Sequence, residues 1–231
     1  MGSELALRLG DDALILSHRL SEWCGHAPTL EVDLALANIG LDLLGQAQFF
    51  LNFYGAAEGL DADALAYRRT EDAFCNCLLA EQPNGDFART VARQFLFSAW
   101  QALVFRELAL GADPEMAAIA AKALKEVTYH ENFAADWVIR LGDGTAESRR
   151  RMEEGLEFLW RFTDELFEGD FDALRAGWDA RVNAVLSEAG LARPNAVRGI
   201  TGGRAGRHSE HLGHLLAQMQ YLPRAFPDAV W

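Results

Sequence analysis

The sequence is short of positive charge. It has 21 Lys and Arg against 34 Asp and Glu, a formal net charge of −13 over 231 residues. A nucleic-acid surface needs a basic stripe to meet the phosphates, so that class is set aside. Acidity of this kind supports solubility and identifies no partner. Long apolar runs are also missing. No uninterrupted run reaches the eighteen or so residues expected of a membrane span. The opening "MGSELALRLGDD" has no cationic segment followed by an apolar core, so no signal peptide is expected and the cytosol is the expected location. Cysteine is scarce: Cys24, Cys75 and Cys77. The C-x-C pair is too tight for an ordinary structural zinc pair, and reduced cytosolic thiols are expected over a redox or metal role. Sustained β alternation is absent as well.

What remains is helical. Hydrophobic residues make up 50% of the chain, enough for one domain with a real core, so a single domain over 1–231 is expected. Residues 31–54 read as a long apolar helix without proline. "QPNGD" (82–86) reads as a turn, and residues 87–110 resume a helical pattern. Asp113 as N-cap, Pro114 at the first helical position and Glu115 in the first turn start a helix that runs to about Leu141. Gly142 fits a left-handed C-cap there, and Thr145 fits the next N-cap. Residues 146–168 and 172–189 read as two more helices. A loop, "RPNAVRGITGGRAGR", leads to a last helix from about His208 to Arg224. Long helices with short connections and aromatic cores point to an all-α antiparallel four-helix bundle with additional C-terminal helices.

Several charged residues sit oddly in this pattern. On a helical wheel Asp42 aligns with Ala35, Asn38, Phe49 and Phe53, which predicts a buried carboxylate in need of a partner or a proton. Lys122, Glu126 and His130 follow one another four apart, on the face of Ile119, Phe133 and Trp137. They form either a polar cluster inside the bundle, with Asp42 as a possible member, or a snorkelling Lys beside a surface Glu.

Bundles that hold two irons or manganeses use one Glu from each of two helices and Glu-x-x-His from each of the other two. Here those motifs are broken. Asp42 is followed three residues later by Gly45, and Glu126 by Tyr129, with His130 one position late. The middle of helix 87–110 has no carboxylate between Arg89 and Arg106. At most three of six ligands remain, too few for a dinuclear site. No dinuclear metal centre is therefore expected in this chain, and no Cys or Ser nucleophile constellation stands out as catalytic. The competing expectation is an autonomous metal-dependent oxidase with one ion on Asp42, Glu126 and His130.

Long collinear motifs carry a resemblance: "LSHRLSEWCGHAPTLEVDLALANIGLDLLGQAQ" (16–48), "EQPNGDFA" (81–88), "KEVTYH" (125–130), "RLGDGT" (140–145) and "TGGRAGRHSEHLGHLLAQMQYL" (201–222). They resemble the C subunits of the bacterial phenylacetyl-CoA epoxidases, multicomponent ring monooxygenases of phenylacetate catabolism. The resemblance implies a ferritin-like fold and a subunit without metal. It also implies a homologous catalytic partner that carries the di-iron centre. In that setting Asp42 reads as a remnant of a di-iron helix, with Lys122 and His130 replacing the lost metal charge. The resemblance further implies contact with phenylacetyl-CoA, at an interface shared with that partner, by Arg69, Thr70, Glu71 and Asp72 and by Asp170, Phe171 and Asp172. Asp72 and Phe171 depart from the family pattern, so backbone contacts are expected there.

Other stretches admit two readings. His208, His211 and His214 could form a metal stripe or simply pack and face solvent. "TGGRAGR" could cradle an anion with Arg204 and Arg207, or order against a partner. Arg68 and Arg69 suit a phosphate, an acidic surface or plain solvent. Residues 152–167, read as one helix, carry Leu156, Leu159, Phe162 and Leu166 together with Phe158, Trp160 and Phe167. That is apolar on more than one face, so a partner surface is expected to cover part of it.

Overall fold

The structure is a computed structural model that describes residues 2–169, 171–195, 198–227 and 229. Among the described residues there is no strand, and the fold is all-α, of the ferritin-like class. The chain divides into two compact units, Met1–Pro83 with Gly202–Trp231, and Asn84–Thr201.

In the first unit α1 (Gly2–Ser21) packs along α2 (Leu30–Glu58). Thr29 accepts from Val32 N–H at the start of α2, and Gly59, left-handed at φ 68°, ends it. The two helices approach closely at Gly10, where a Cβ would lie 2.8 Å from the Leu51 side chain. The core between them holds Leu9, Leu14, Leu16, Leu36, Ile39, Leu43 and Phe50. Short helices α3 (Ala62–Tyr67) and α4 (Leu78–Glu81) follow, and α9 (Glu210–Met219) and α10 (Tyr221–Ala225) complete the unit. By length and composition α2 could cross a membrane, but half of that stretch is packed inside the protein.

The second unit is built on α5 (Phe87–Ala109) and α6 (Pro114–Gly142), joined by a short turn. Asp86 caps α5, and Asp113 with Pro114 starts α6 as its sequence predicts. Nearly every side chain of α5 from Ala88 to Phe105 is buried. Helices α7 (Ala146–Trp160) and α8 (Arg175–Glu188) pack against it. Thr145 and Ser148 form a capping box at the start of α7.

Three boundary expectations change. The helix expected over 146–168 stops at Trp160, and a 3-10 turn over Asp164–Phe167 follows. Phe162, Leu166 and Phe167 are buried there, and Phe167 and Trp160 flank the buried Trp178, with ring centroids 5.4 and 5.8 Å away. The apolar residues of 152–167 are thus mostly covered by their own unit, and the surplus that called for a partner is not there. Gly142 is helical, not left-handed. It is required because a Cβ would sit 2.8 Å from Ala189 O. The last helix begins at Glu210, leaving His208 in the preceding loop.

Candidate functional site

The first unit is held together by three buried ionic contacts. Asp11 and Asp12, adjacent on α1, are both fully buried. Arg69 meets Asp11 as a fork: Nη1 donates to Oδ2 at 3.0 Å and Nη2 donates to Oδ1, while Cys75 N–H donates to Oδ2 at 2.9 Å. The guanidinium also stacks over Phe74, 4.1 Å from the ring centroid. Full burial pushes the Asp11 carboxyl above the ordinary carboxylate range, while Arg69 and the Cys75 N–H pull it back down. Asp12 accepts from Cys77 N–H at 2.7 Å and from Arg204 Nη1 at 2.9 Å, and Arg204 Nη2 lies 2.8 Å from its other oxygen.

Glu81 is the third centre. It is fully buried and accepts from Asn76 Nδ2 at 2.9 Å and from Ser209 N–H at 2.6 Å. His208 Nδ1 lies 2.8 Å from Glu81 Oε2, and its Nε2 lies 2.9 Å from Phe74 O. Both neighbours offer acceptor oxygens, a geometry that favours donation from both ring nitrogens, the imidazolium form. Burial opposes that charge, but the Glu81 carboxylate, the Phe74 carbonyl and the nearby Glu71 together raise the His208 pKa above its ordinary value.

The glycine-rich loop permits this wiring. Gly206 is left-handed at φ 72°, and a Cβ on Gly203 would lie 2.3 Å from Asn76 O. The loop therefore lies against segment 72–78 and inserts Arg204 beneath it. Arg204 also donates to Cys75 O at 3.0 Å. The anion-cradle expectation gives way at this residue, because its guanidinium is occupied by Asp12 and its side chain is only 8% exposed.

The expected substrate residues divide in two. The Arg69 guanidinium points inward to Asp11, with 13% of its side chain exposed, so it supports the segment and does not face solvent as a phosphate ligand would. Thr70, Glu71 and Asp72 are exposed, in and beside a 3-10 turn over Glu71–Ala73. Gln220 Nε2 and Arg224 Nη2 donate to Arg69 O at 3.1 and 3.0 Å and fix the base of that turn. In the second unit Asp172 is exposed and Phe171 is half-buried, edge-on to Trp100 at 5.6 Å. Asp170 lies outside the described residues.

The expected vestigial cluster changes too. Asp42 is half-buried, not buried, and two residues of its expected face, Asn38 and Phe49, are exposed. The core face of α2 is instead Val32, Leu36, Ile39, Leu43, Ala47 and Phe50. On α6 the series Lys122, Glu126, His130 runs from exposed through half-buried to fully buried, because the buried stripe follows Ala120, Ala123, Val127 and Ala134. Of the histidine triad, His208 is engaged with Glu81, His211 is half-buried and His214 is exposed, so they form no common stripe.

A dinuclear carboxylate centre does not fit these helices. The buried polar side chains of α5 are Thr90, Arg93, Gln94, Ser98 and Gln101, all neutral or cationic, and Gln94 donates to Ser98 Oγ at 2.8 Å. Gly45 and Tyr129 offer no imidazole where the motif needs one. Among the described residues no group of three or more His, Cys, Asp and Glu converges as metal ligands would.

Sequence reasoning missed Asp11, Asp12 and Glu81. A signal existed: "LRLGDDALIL" puts two adjacent carboxylates inside an apolar helical run, and such a pair demands cations from elsewhere. None of the three cysteines is in a disulfide. Burial and the nearby Asp11 raise the Cys75 thiol, which disfavours the reactive thiolate.

A family model described as phenylacetic acid catabolic protein matches residues 2–231. The C subunit of the 1,2-phenylacetyl-CoA epoxidase of Escherichia coli (strain K12) is 52% identical over 241 residues, covering 97% of each chain.

Proposed function

The chain belongs to the phenylacetic acid catabolic protein family, and from that premise we propose that it is a non-catalytic subunit of a cytoplasmic 1,2-phenylacetyl-CoA epoxidase. In this reading the di-iron centre sits in a homologous subunit. That centre would supply the oxygen chemistry, one atom of O2 to the aromatic ring and the other to water, with two electrons and two protons delivered from outside this chain. The present chain binds no metal of its own and fixes the shape of its partner. The observation that carries the reading is α5: its buried polar groups include no carboxylate, so one helix of the ligand set is chemically blank. A lost metal charge needs a replacement, and buried Arg93 supplies a cation on that same helix.

The exposed turn Thr70–Asp72 and the residues Phe171 and Asp172 are the parts of this chain assigned to phenylacetyl-CoA. Their carboxylates suit the hydroxyl and amino donors of ribose and adenine better than phosphates, and backbone N–H groups suit the phosphates. Arg69 acts behind them as a positioning residue.

The test mixes the purified chain with the catalytic subunit and measures mass, metal content and epoxidation. An active complex in which this chain carries no metal is expected. Stoichiometric iron or manganese on the isolated chain, lost on Asp42→Ala, would replace this reading with the autonomous oxidase.

A further inference from the structure

Helix α2 is apolar nearly all round, and only one side of it faces the core of its unit. Its outer side carries Leu30, Leu34, Leu41 and Leu44, exposed at 72, 57, 65 and 42%. With Ala37 and Gln48 these residues fall at alternating steps of four and three, the spacing of a coiled-coil seam. A helix left this way in water exposes a continuous apolar stripe, which is what a docking surface looks like. Beside the stripe lies a groove of about 280 Å³ bordered by Leu41, Leu44, Gly45, Ala62 and Tyr67. A Cβ on Gly45 would meet nothing within 4 Å, so the glycine leaves room for an incoming side chain.

Charge decides between occupants. The charged residues of α2 are all acidic: Glu31, Asp33, Asp42 and Glu58, with no Lys or Arg. Glu31 and Asp33 flank the seam at its start, and Asp63 borders the groove. A second copy would set this acidic face against itself, within chains of −13 each. We propose that the outer seam of α2 docks a helix of a different polypeptide, one with its own apolar heptad stripe flanked by Lys or Arg. Naming that polypeptide as the catalytic epoxidase subunit rests on the functional reading above.

Sedimentation of the full chain with the catalytic subunit tests this, using Leu34→Glu and Leu41→Glu singly and together. Both side chains are solvent-exposed, so melting should stay within about 2 °C of wild type. Binding should weaken about tenfold or more in each single variant and further in the double variant, since each buries a carboxylate in an apolar seam. Leu110→Glu, at the exposed end of α5, should bind as wild type. Wild-type affinity in the double variant overturns the seam and leaves the subunit reading standing. No binding by the wild-type chain overturns the subunit reading, and the partner with it. A wild-type homodimer broken by Leu41→Glu, or Leu41-dependent flotation with phosphatidylcholine–phosphatidylglycerol vesicles, makes a second copy or a bilayer the occupant and overturns the proposal.

Discussion

Removing the Arg69 side chain should lower the stability of the fold more than it weakens the binding of substrate. Asp11 is fully buried, and Arg69 supplies both prongs of its fork, with the guanidinium laid on Phe74. Truncation to Ala leaves a carboxylate in the interior with only the Cys75 N–H from this group of donors. Breaking a buried pair from one side costs about 3–5 kcal/mol, and the 13% exposure of the Arg69 side chain favours the lower end. For a chain of this size about 2–4 °C of melting temperature accompanies each kcal/mol, so Arg69→Ala should melt roughly 6–12 °C below wild type. The deficit should shrink in acid. Without its partner Asp11 titrates higher still, and once protonated it no longer strands a charge.

The assay is thermal and urea unfolding of the full chain, as a cycle with Asp11→Leu and Arg69→Met. Each single variant should fall. The double variant should recover most of the loss, because an apolar pair of similar volume replaces the ion pair. A solvent-facing phosphate ligand would behave in the opposite way: unchanged melting, a several-fold rise in KM for phenylacetyl-CoA in the assembled enzyme, and unchanged kcat. Melting of Arg69→Ala within about 1 °C of wild type, with that KM rise, refutes the positioning role.

His208 has a raised folded pKa, so its stabilisation is fully present below its ordinary value near pH ~6.5 and is lost as pH rises through the higher folded value. The melting difference between wild type and His208→Gln should therefore be larger at about pH 6 than at about pH 9; a difference that grows with pH contradicts the imidazolium. Gly203→Ala would place a Cβ 2.3 Å from Asn76 O, and should lower the stability read from urea unfolding by at least about 1 kcal/mol. Asp42→Asn should change turnover of the assembled epoxidase less than about threefold, whereas loss of a general acid or metal ligand costs about two or more orders of magnitude; stopped-assay epoxidation decides.

Helix starts are the most legible part of the fold. Asp86, Asp113 with Pro114, and Thr145 act locally, through their own side chains and the next turn, so the sequence carries them whole. The end of α7 is not legible, because tertiary packing of Phe167 against Trp178, with Phe162 and Leu166 also buried, overrides a helical pattern that continues past Trp160. The face of α2 is hidden for a different reason. When apolar residues surround a helix, hydropathy cannot say which side meets the core, and a helical wheel puts Asp42 on the wrong side. The ion network is illegible as a network, since its partners lie 58 and 192 residues apart, yet its acidic half is visible in "GDD".

Under the proposed function, the same network gives the turn over Thr70–Asp72 the rigid base that a substrate contact needs. A binding loop is useful only if a rigid base holds it. Thr70, Glu71 and Asp72 make few fixed contacts of their own: Thr70 gives no side-chain cap, and all three are exposed. Their position is set from below by Arg69 on Asp11, and from beside by Gln220 and Arg224 on the Arg69 carbonyl. On the far side Glu71 is pressed to α9, where a Cβ on Gly213 would lie 2.8 Å from Oε2. The turn is thus tied to both the first helix and the last. Buried ion pairs add little net stability compared with apolar residues of the same size, so their value here is geometric: a fork with fixed donors admits one placement of the loop, and an apolar contact admits several. The apolar replacement Asp11→Leu/Arg69→Met separates the two roles. It should restore melting while leaving the apparent KM of the assembled enzyme raised, because the turn regains its stability without regaining its single position.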